Sequence, residues 1–174
     1  MKNDVNRQLS LRALEPQDID ALYRWENDPT LWETSESHAP FSRLKLQQYI
    51  VDSLQEDIYA SRQLRLIAMD GVVAVGCIDL FDFDPLNLHA EIGVLVDQQW
   101  RQMGYGKAML QALEDYCRDN LHIHSLSAEV AEDNEASLRL FAHSHYEKIG
   151  EREEYLNKGG KWCGVWIFQK ILES

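Results

Sequence analysis

The chain has 174 residues, the length of a single domain. Its content of 45 % hydrophobic and 26 % charged residues is that of a folded globular protein. Lys plus Arg total 17 and Asp plus Glu total 29, a net charge of −12, which argues against a nucleic-acid binder or an anionic membrane surface and would welcome a cationic substrate.

Leu9, Leu11 and Ala13 alternate with polar residues and predict a short strand. Glu15-Pro16 opens a helix with Ile19, Leu22, Tyr23 and Trp25 on its apolar stripe, and Asn27-Asp28-Pro29 stops it. Ser42 is the expected N-cap of a second helix carrying Leu46, Tyr49, Ile50 and Leu54. Leu64 to Met69 and Val72 to Leu80 flank Asp70-Gly71, a type I′ hairpin signal. Phe81 to Asn87 reads as a turn around Pro85, and Ala90 to Val96 as a buried strand. A helix from Gly106 carries Met109, Leu110, Leu113, Tyr116 and Cys117. His122 to Val130 is a further strand and Asn134 to about His143 a further helix. Tyr146 to Leu156 and Trp162 to Ile171 close the chain as a hairpin around Asn157-Lys158-Gly159-Gly160. The expectation is one α/β domain over residues 1–174, a mixed sheet with helices against it.

Cys77, Cys117 and Cys163 are odd in number and far apart, which fits reduced, mostly buried thiols. There is no C-x-x-C pair, and His122/His124 and His143/His145 lack convergent ligands, so no metal site is expected. Met1 to Asn6 is polar, and no stretch approaches the roughly 18 apolar residues of a membrane span. The cytoplasm is the expected location.

Val94 to Ala108 carries the chemistry. A buried strand ends, a polar loop with Gly104 and Gly106 follows, and a helix begins at once. The first N–H groups of a helix have no intrahelical partner and sit at the positive end of its dipole, which suits a phosphate. Glycines remove Cβ atoms where a pyrophosphate must approach the backbone. Neither a Walker A loop nor G-x-G-x-x-G is present, and two glycines alone read first as a tight strand-to-helix turn.

Arg101-Gln102-Met103-Gly104-Tyr105-Gly106 resembles the R/Q-x-x-G-x-G/A signature of the GNAT superfamily of N-acetyltransferases. Asn134-Glu135-Ala136-Ser137 resembles its N-x-x-S/A segment. Leu9 to Asp18, Trp25 to Pro29 and Ala90 to Gly93 look like the subgroup of ribosomal-protein Nα-acetyltransferases and spermidine/diamine acetyltransferases. The resemblance covers nearly the whole chain. It implies a GNAT-like mixed, mostly antiparallel sheet of about seven strands, with a central splayed parallel pair and about four helices. It also implies acetyl-CoA as co-substrate. The pantetheine amides would pair with Val94, Leu95 and Val96. Gln99, Arg101, Gln102, Met103, Gly104, Tyr105, Gly106 and Lys107 would surround the pyrophosphate, and Asn134 would contact the pantetheine arm. Many members place a tyrosine near the sulfur, seven residues after that asparagine; here the position is Phe141, which has no proton to give.

Acetyl transfer to an amine needs a proton acceptor for the amine, a donor to the leaving thiolate and a donor to the oxyanion. Glu91, in an otherwise apolar strand, is the candidate base, with a purely structural carboxylate as the alternative. Ser137 is the candidate acid because the resemblance to the ribosomal-protein subgroup implies a working serine there, one helical turn before Phe141, and Tyr146 is a second donor unless it is a core tyrosine. Glu33, Glu36 and Asp79 are weaker candidates for holding a cationic acceptor. Trp162, Trp166 and Phe168 alternate along one strand face and pack, or else wall an amine pocket. The reading is an acetyl-CoA-dependent N-acetyltransferase acting on a primary amine, either a small polyamine or a peptide N-terminus. A non-catalytic acyl-CoA-binding or regulatory module is the alternative, and a homodimer is left open.

Overall fold

The computed structural model describes residues 9–32 and 39–173. Its strands are β1 (Ser10–Ala13), β2 (Leu64–Asp70), β3 (Val73–Asp84), β4 (His89–Val96), β5 (Ser125–Ala131), β6 (Glu147–Lys158) and β7 (Lys161–Ile171). They form one sheet in the order β1-β2-β3-β4-β5-β7-β6, antiparallel throughout except between β4 and β5. This is the expected seven-stranded mixed sheet with its central parallel pair. The expected helices are α1 (Ile19–Glu26), α3 (Arg43–Ser53), α5 (Tyr105–Tyr116) and α6 (Glu135–His143). Two more occur among the described residues, α2 (Pro29–Trp32) and α4 (Ile58–Ser61). Each is a single turn, too short to show an apolar period in sequence.

Strand alternation gives the sheet two covered faces. On one, Leu22 and Trp25 of α1 and Leu46 and Ile50 of α3 pack on Ile67, Cys77 and Leu95. On the other, Met109, Leu110 and Leu113 of α5 and Phe141 of α6 cover Ile78, Ile92, Leu126 and Phe168. Asp18, just before α1, is buried, yet it accepts both Arg12 guanidinium nitrogens at 2.7 Å and the Glu15 amide at 2.8 Å. The Ser42 hydroxyl caps α3 by accepting the Lys45 amide at 3.2 Å. Cys77, Cys117 and Cys163 are free and buried.

Four local expectations change. The first hairpin turns at Gly71-Val72, since Asp70 pairs with Val73, and there only Gly71 has a positive φ, so the turn is not type I′. Type I′ chemistry instead fits Gly159-Gly160, both at positive φ between the paired Lys158 and Lys161. Strand β3 runs on through Phe81 to Asp84, kinked by an irregularity between those two residues with Asp82 at φ 48°. The turn is confined to residues 85–88, where the Asp84 carboxylate accepts the Leu86 and Asn87 amides at 2.8 and 2.9 Å. Strand β5 begins only at Ser125, because α5 runs into a wide π-turn over Cys117–Leu121 that ends at His122 with φ 53°. His122 and His124 therefore precede the strand. Tyr23 lies at the solvent side of α1, beneath the Arg43 guanidinium at 4.6 Å.

Candidate active site

The parallel pair holds for three rungs, His89 with Ser125, Ala90 with Leu126 and Glu91 with Ser127. Beyond Glu91 the two strands part. Strand β4 continues paired to β3 as far as Val96, and β5 continues paired to β7 as far as Ala131. A V-shaped opening results, and one edge of Ile92 to Val96 faces it without a β5 partner. Unpaired strand edges bind extended amide-bearing chains by completing the ladder. The expected edge of Val94, Leu95 and Val96 thus lies along the opening. Strand β4 curls there against Gly76, where a Cβ would stand 2.1 Å from the Leu95 carbonyl oxygen, so only glycine fits.

At the end of β4, Asp97 is buried and clamped. Its Oδ2 accepts Arg24 Nη2 at 2.6 Å and Trp25 Nε1 at 2.7 Å, and its Oδ1 accepts the Gln99 amide at 3.2 Å. Burial works against its charge, yet these hydrogen bonds hold the carboxyl below its ordinary range. The loop that follows has Gln102 at φ 61° and Gly104 at φ 85°. Residues in the left-handed region alternating with ordinary ones turn successive N–H groups toward one concavity, an anion nest. Among the described residues the amides of Gln102, Met103, Gly104, Gly106 and Lys107 have no backbone acceptor. They stand at the N-terminus of the twelve-residue α5.

The two loop glycines differ in purpose. A Cβ on Gly104 would meet nothing within 4 Å, so this position is open to a ligand. A Cβ on Gly106 would lie 3.2 and 3.3 Å from the Leu140 methyls and 3.7 Å from Val96, so Gly106 lets α5 close on α6. Two other expected loop ligands have side chains engaged elsewhere. Arg101 donates Nε to the Val96 carbonyl at 3.0 Å and Nη2 to Asp28 Oδ2 at 3.1 Å. Tyr105 is buried, donates its hydroxyl to Asp70 at 2.5 Å and meets the Trp100 ring edge-on with centroids 5.7 Å apart. Gln99, Met103 and Lys107 are exposed. The donor set fits a diphosphate through backbone amides, with Lys107 as the nearby cation.

Across the opening, Asn134 caps α6 by accepting the Ser137 amide at 3.2 Å. Ser137 is half-buried in the first turn, and its hydroxyl has no partner among the described residues. Phe141 is buried, edge-on to Tyr146 at 5.1 Å and stacked on Phe168 at 5.9 Å. The Tyr146 hydroxyl is buried beside the Glu114 carboxylate with no well-formed hydrogen bond among the described residues, and burial, then Glu114, raises its pKa. Glu114 itself belongs to α5 and accepts Lys170 Nζ at 2.7 Å. Tyr146 is the core tyrosine of the two options. Trp166 and Phe168 pack on the α5/α6 core, Trp166 carrying Lys148 Nζ at 3.7 Å from its centroid, whereas Trp162 is exposed.

Glu91 is half-buried and faces the α1/α3 side with Gly93 and Leu95. Burial, then the charges of Glu129 and Asp82, raise its pKa, against the pull of Arg152 and His89. It makes no hydrogen bond or ion pair to another side chain among the described residues. Next to it, Phe81 pairs with Glu91 and Asp79 with Gly93. Asp79 holds Arg65 with two bonds of 2.7 and 2.8 Å, and Arg65 Nη1 reaches Glu26 at 2.5 Å. Asp79 and Glu26 thus meet on the Arg65 guanidinium. Glu33 and Glu36 lie outside the described residues. Sequence reasoning missed the Asp97 clamp, the Asp28 partner of Arg101 and the Glu129 and Asp82 neighbours of Glu91. Each depends on a contact made across strands or helices, and sequence spacing does not carry it. Among the described residues no three His, Cys, Asp or Glu side chains converge as a metal site.

Residues 8–147 match the model of the acetyltransferase (GNAT) domain family. An N-acetyltransferase 9-like protein of Nematostella vectensis is 29 % identical over 87 % of this chain and 80 % of its own length. The spermidine N(1)-acetyltransferase of Vibrio cholerae is 20 % identical over 92 % of this chain and 91 % of its own. A crystal structure of Vibrio cholerae spermidine N-acetyltransferase with CoA and spermine superposes with a TM-score of 0.86, at 19 % identity, over 95 % of this chain and 96 % of that one. With the splayed strands, the amide nest and the match over most of its length, the chain belongs to the GNAT family of acetyl-CoA-dependent N-acetyltransferases.

Proposed function

We propose that the protein transfers the acetyl group of acetyl-CoA to a cationic primary amine, a polyamine before a peptide N-terminus, in the cytoplasm. The observation that carries this reading is Glu91. It is a half-buried carboxylate with raised proton affinity, at the apex of the opening and outside every side-chain ion pair among the described residues. A carboxylate so tuned accepts a proton from an ammonium or attacking amine more readily than an ordinary one. The chain's net charge of −12 favours a cationic acceptor.

In the proposed step the amine nitrogen bonds to the thioester carbonyl carbon, the C–S bond breaks, and the amine proton goes to Glu91, directly or through water. The thiolate takes a proton from Ser137 or from solvent. Gln102, Met103, Gly104, Gly106 and Lys107 would hold the diphosphate with their amides, Val94 to Val96 the pantetheine arm, and Asn134 its far side. Phe141 would line the sulfur end as an apolar wall. Relatives bearing the name spermidine acetyltransferase support a polyamine acceptor. The test is thiol release from acetyl-CoA across a panel of diamines, polyamines, amino acids and a short peptide. Polyamines should lead, with rates that fall as salt is added. Preference for the peptide would move the acceptor to a protein N-terminus.

A further inference from the structure

We propose that Asp28 is a positioning residue that couples occupancy of the anion-binding loop to the helices beside the acceptor face. This rests on the reading of the loop as the acetyl-CoA site. Arg101 leaves the loop and bridges two elements. Its Nε holds the carbonyl of Val96, the last residue of the unpaired β4 edge, at 3.0 Å. Its Nη2 reaches Asp28 Oδ2 at 3.1 Å, and its Nη1 reaches Thr30 Oγ1 at 3.4 Å. The other Asp28 oxygen accepts the Thr30 amide at 2.9 Å and the Thr30 hydroxyl at 2.7 Å. Both carboxylate oxygens are therefore committed, one to the start of α2 and one to the loop.

The neighbouring residues tighten the same joint. Arg24 and Trp25 grip Asp97, immediately before the loop. Asn27 grips Phe41 from both sides, donating to its carbonyl at 3.0 Å and accepting its amide at 2.7 Å. Residues 24–30 thus touch the loop before it and within it, and they also fix the approach to α3. Trp25 belongs to the α1 face that packs on Leu95, which shares a strand face with Glu91 at about 13 Å along β4. A guanidinium has a planar fork of fixed donor directions, so its partners move with it. Arg101 bound to Asp28 and Val96 leaves the phosphates to the backbone amides, and any shift of the loop toward an anion is passed to Asp28.

Hydrogen–deuterium exchange with and without CoA tests this. In the wild type, CoA slows exchange in residues 98–107 and, on the order of tenfold, in residues 24–32. Asp28→Ala keeps the first protection and loses the second. Its KM for the amine rises while CoA affinity and kcat stay close to wild type. Asp28→Glu restores the protection in part. If Asp28→Ala protects residues 24–32 as the wild type does, the proposal is wrong. Should Asp28→Ala not fold, the exposed Thr30→Ala carries the test, with partial loss of protection expected and full protection overturning the proposal. If CoA fails to protect residues 98–107 in the wild type, the loop is not the CoA site and both readings fall.

Discussion

Glu91 on β4 and Ser127 on β5 form the last rung at which the two parallel strands pair. One residue further the strands separate, so the single carboxylate of β4 stands where the opening begins. Its raised pKa has two consequences of opposite sign. Activity needs the deprotonated form, so kcat/KM falls as pH is lowered through the raised pKa. The folded state holds the Glu91 proton more tightly than the unfolded chain does, so this group's contribution to stability falls as pH rises through that pKa. Glu91→Gln removes the buried charge, and its melting temperature at neutral pH should equal or exceed that of the wild type. A clear loss of stability would assign Glu91 to the framework.

Tyr146→Phe separates the core tyrosine from a proton donor. The hydroxyl it removes is buried beside Glu114 with no well-formed hydrogen bond among the described residues, so its loss should be close to neutral. Turnover should be unchanged. A large fall in kcat with an intact fold would restore Tyr146 as the acid.

The two loop glycines should respond differently to alanine. Gly104→Ala places a Cβ in open space at φ 85°, costing about 1 kcal/mol in backbone strain and obstructing the anion. CoA affinity should drop more than stability. Gly106→Ala pushes against the Leu140 methyls, so stability and the fit of α6 should suffer more than CoA affinity. Titration of CoA by calorimetry, alongside thermal melts, compares the two.

Much of this site was legible in sequence because it is local. Gly104, Gly106 and the start of α5 follow within a few residues of the β4 terminus, and apolar alternation fixes which face Glu91 takes. Family resemblance implies a splayed parallel pair but not its start at Glu91, since no residue type encodes where two strands distant in sequence part. Arg101 is expected around the pyrophosphate, but the partner of its side chain, Asp28, comes from a segment 73 positions earlier and is not legible in sequence. The π-turn at Cys117–Leu121 was hidden because its apolar residues, Cys117 and Leu121, keep a helical spacing.

Asp97 joins α1 to the loop, and Asp97→Asn should weaken that joint. The charge-assisted bonds from Arg24 and Trp25 are lost or turned neutral, at a cost of about 2 kcal/mol. For a chain of this size that lowers the melting temperature by roughly 4–8 °C. The Asp97 pKa is depressed in the fold, so its contribution is present above the unfolded carboxylate pKa and is lost as pH falls through the folded value. The gap between wild type and variant should therefore close in acid.

The most direct measurement is steady-state turnover of Glu91→Gln with acetyl-CoA and a polyamine, alongside its CoA affinity. The variant keeps the side-chain shape and leaves the amide nest around Gly104 untouched. The expected result is a fall in kcat on the order of 10²-fold or more, loss of the acidic limb of the pH profile, and CoA binding close to wild type. Full turnover with the wild-type pH profile would contradict Glu91 as the proton acceptor.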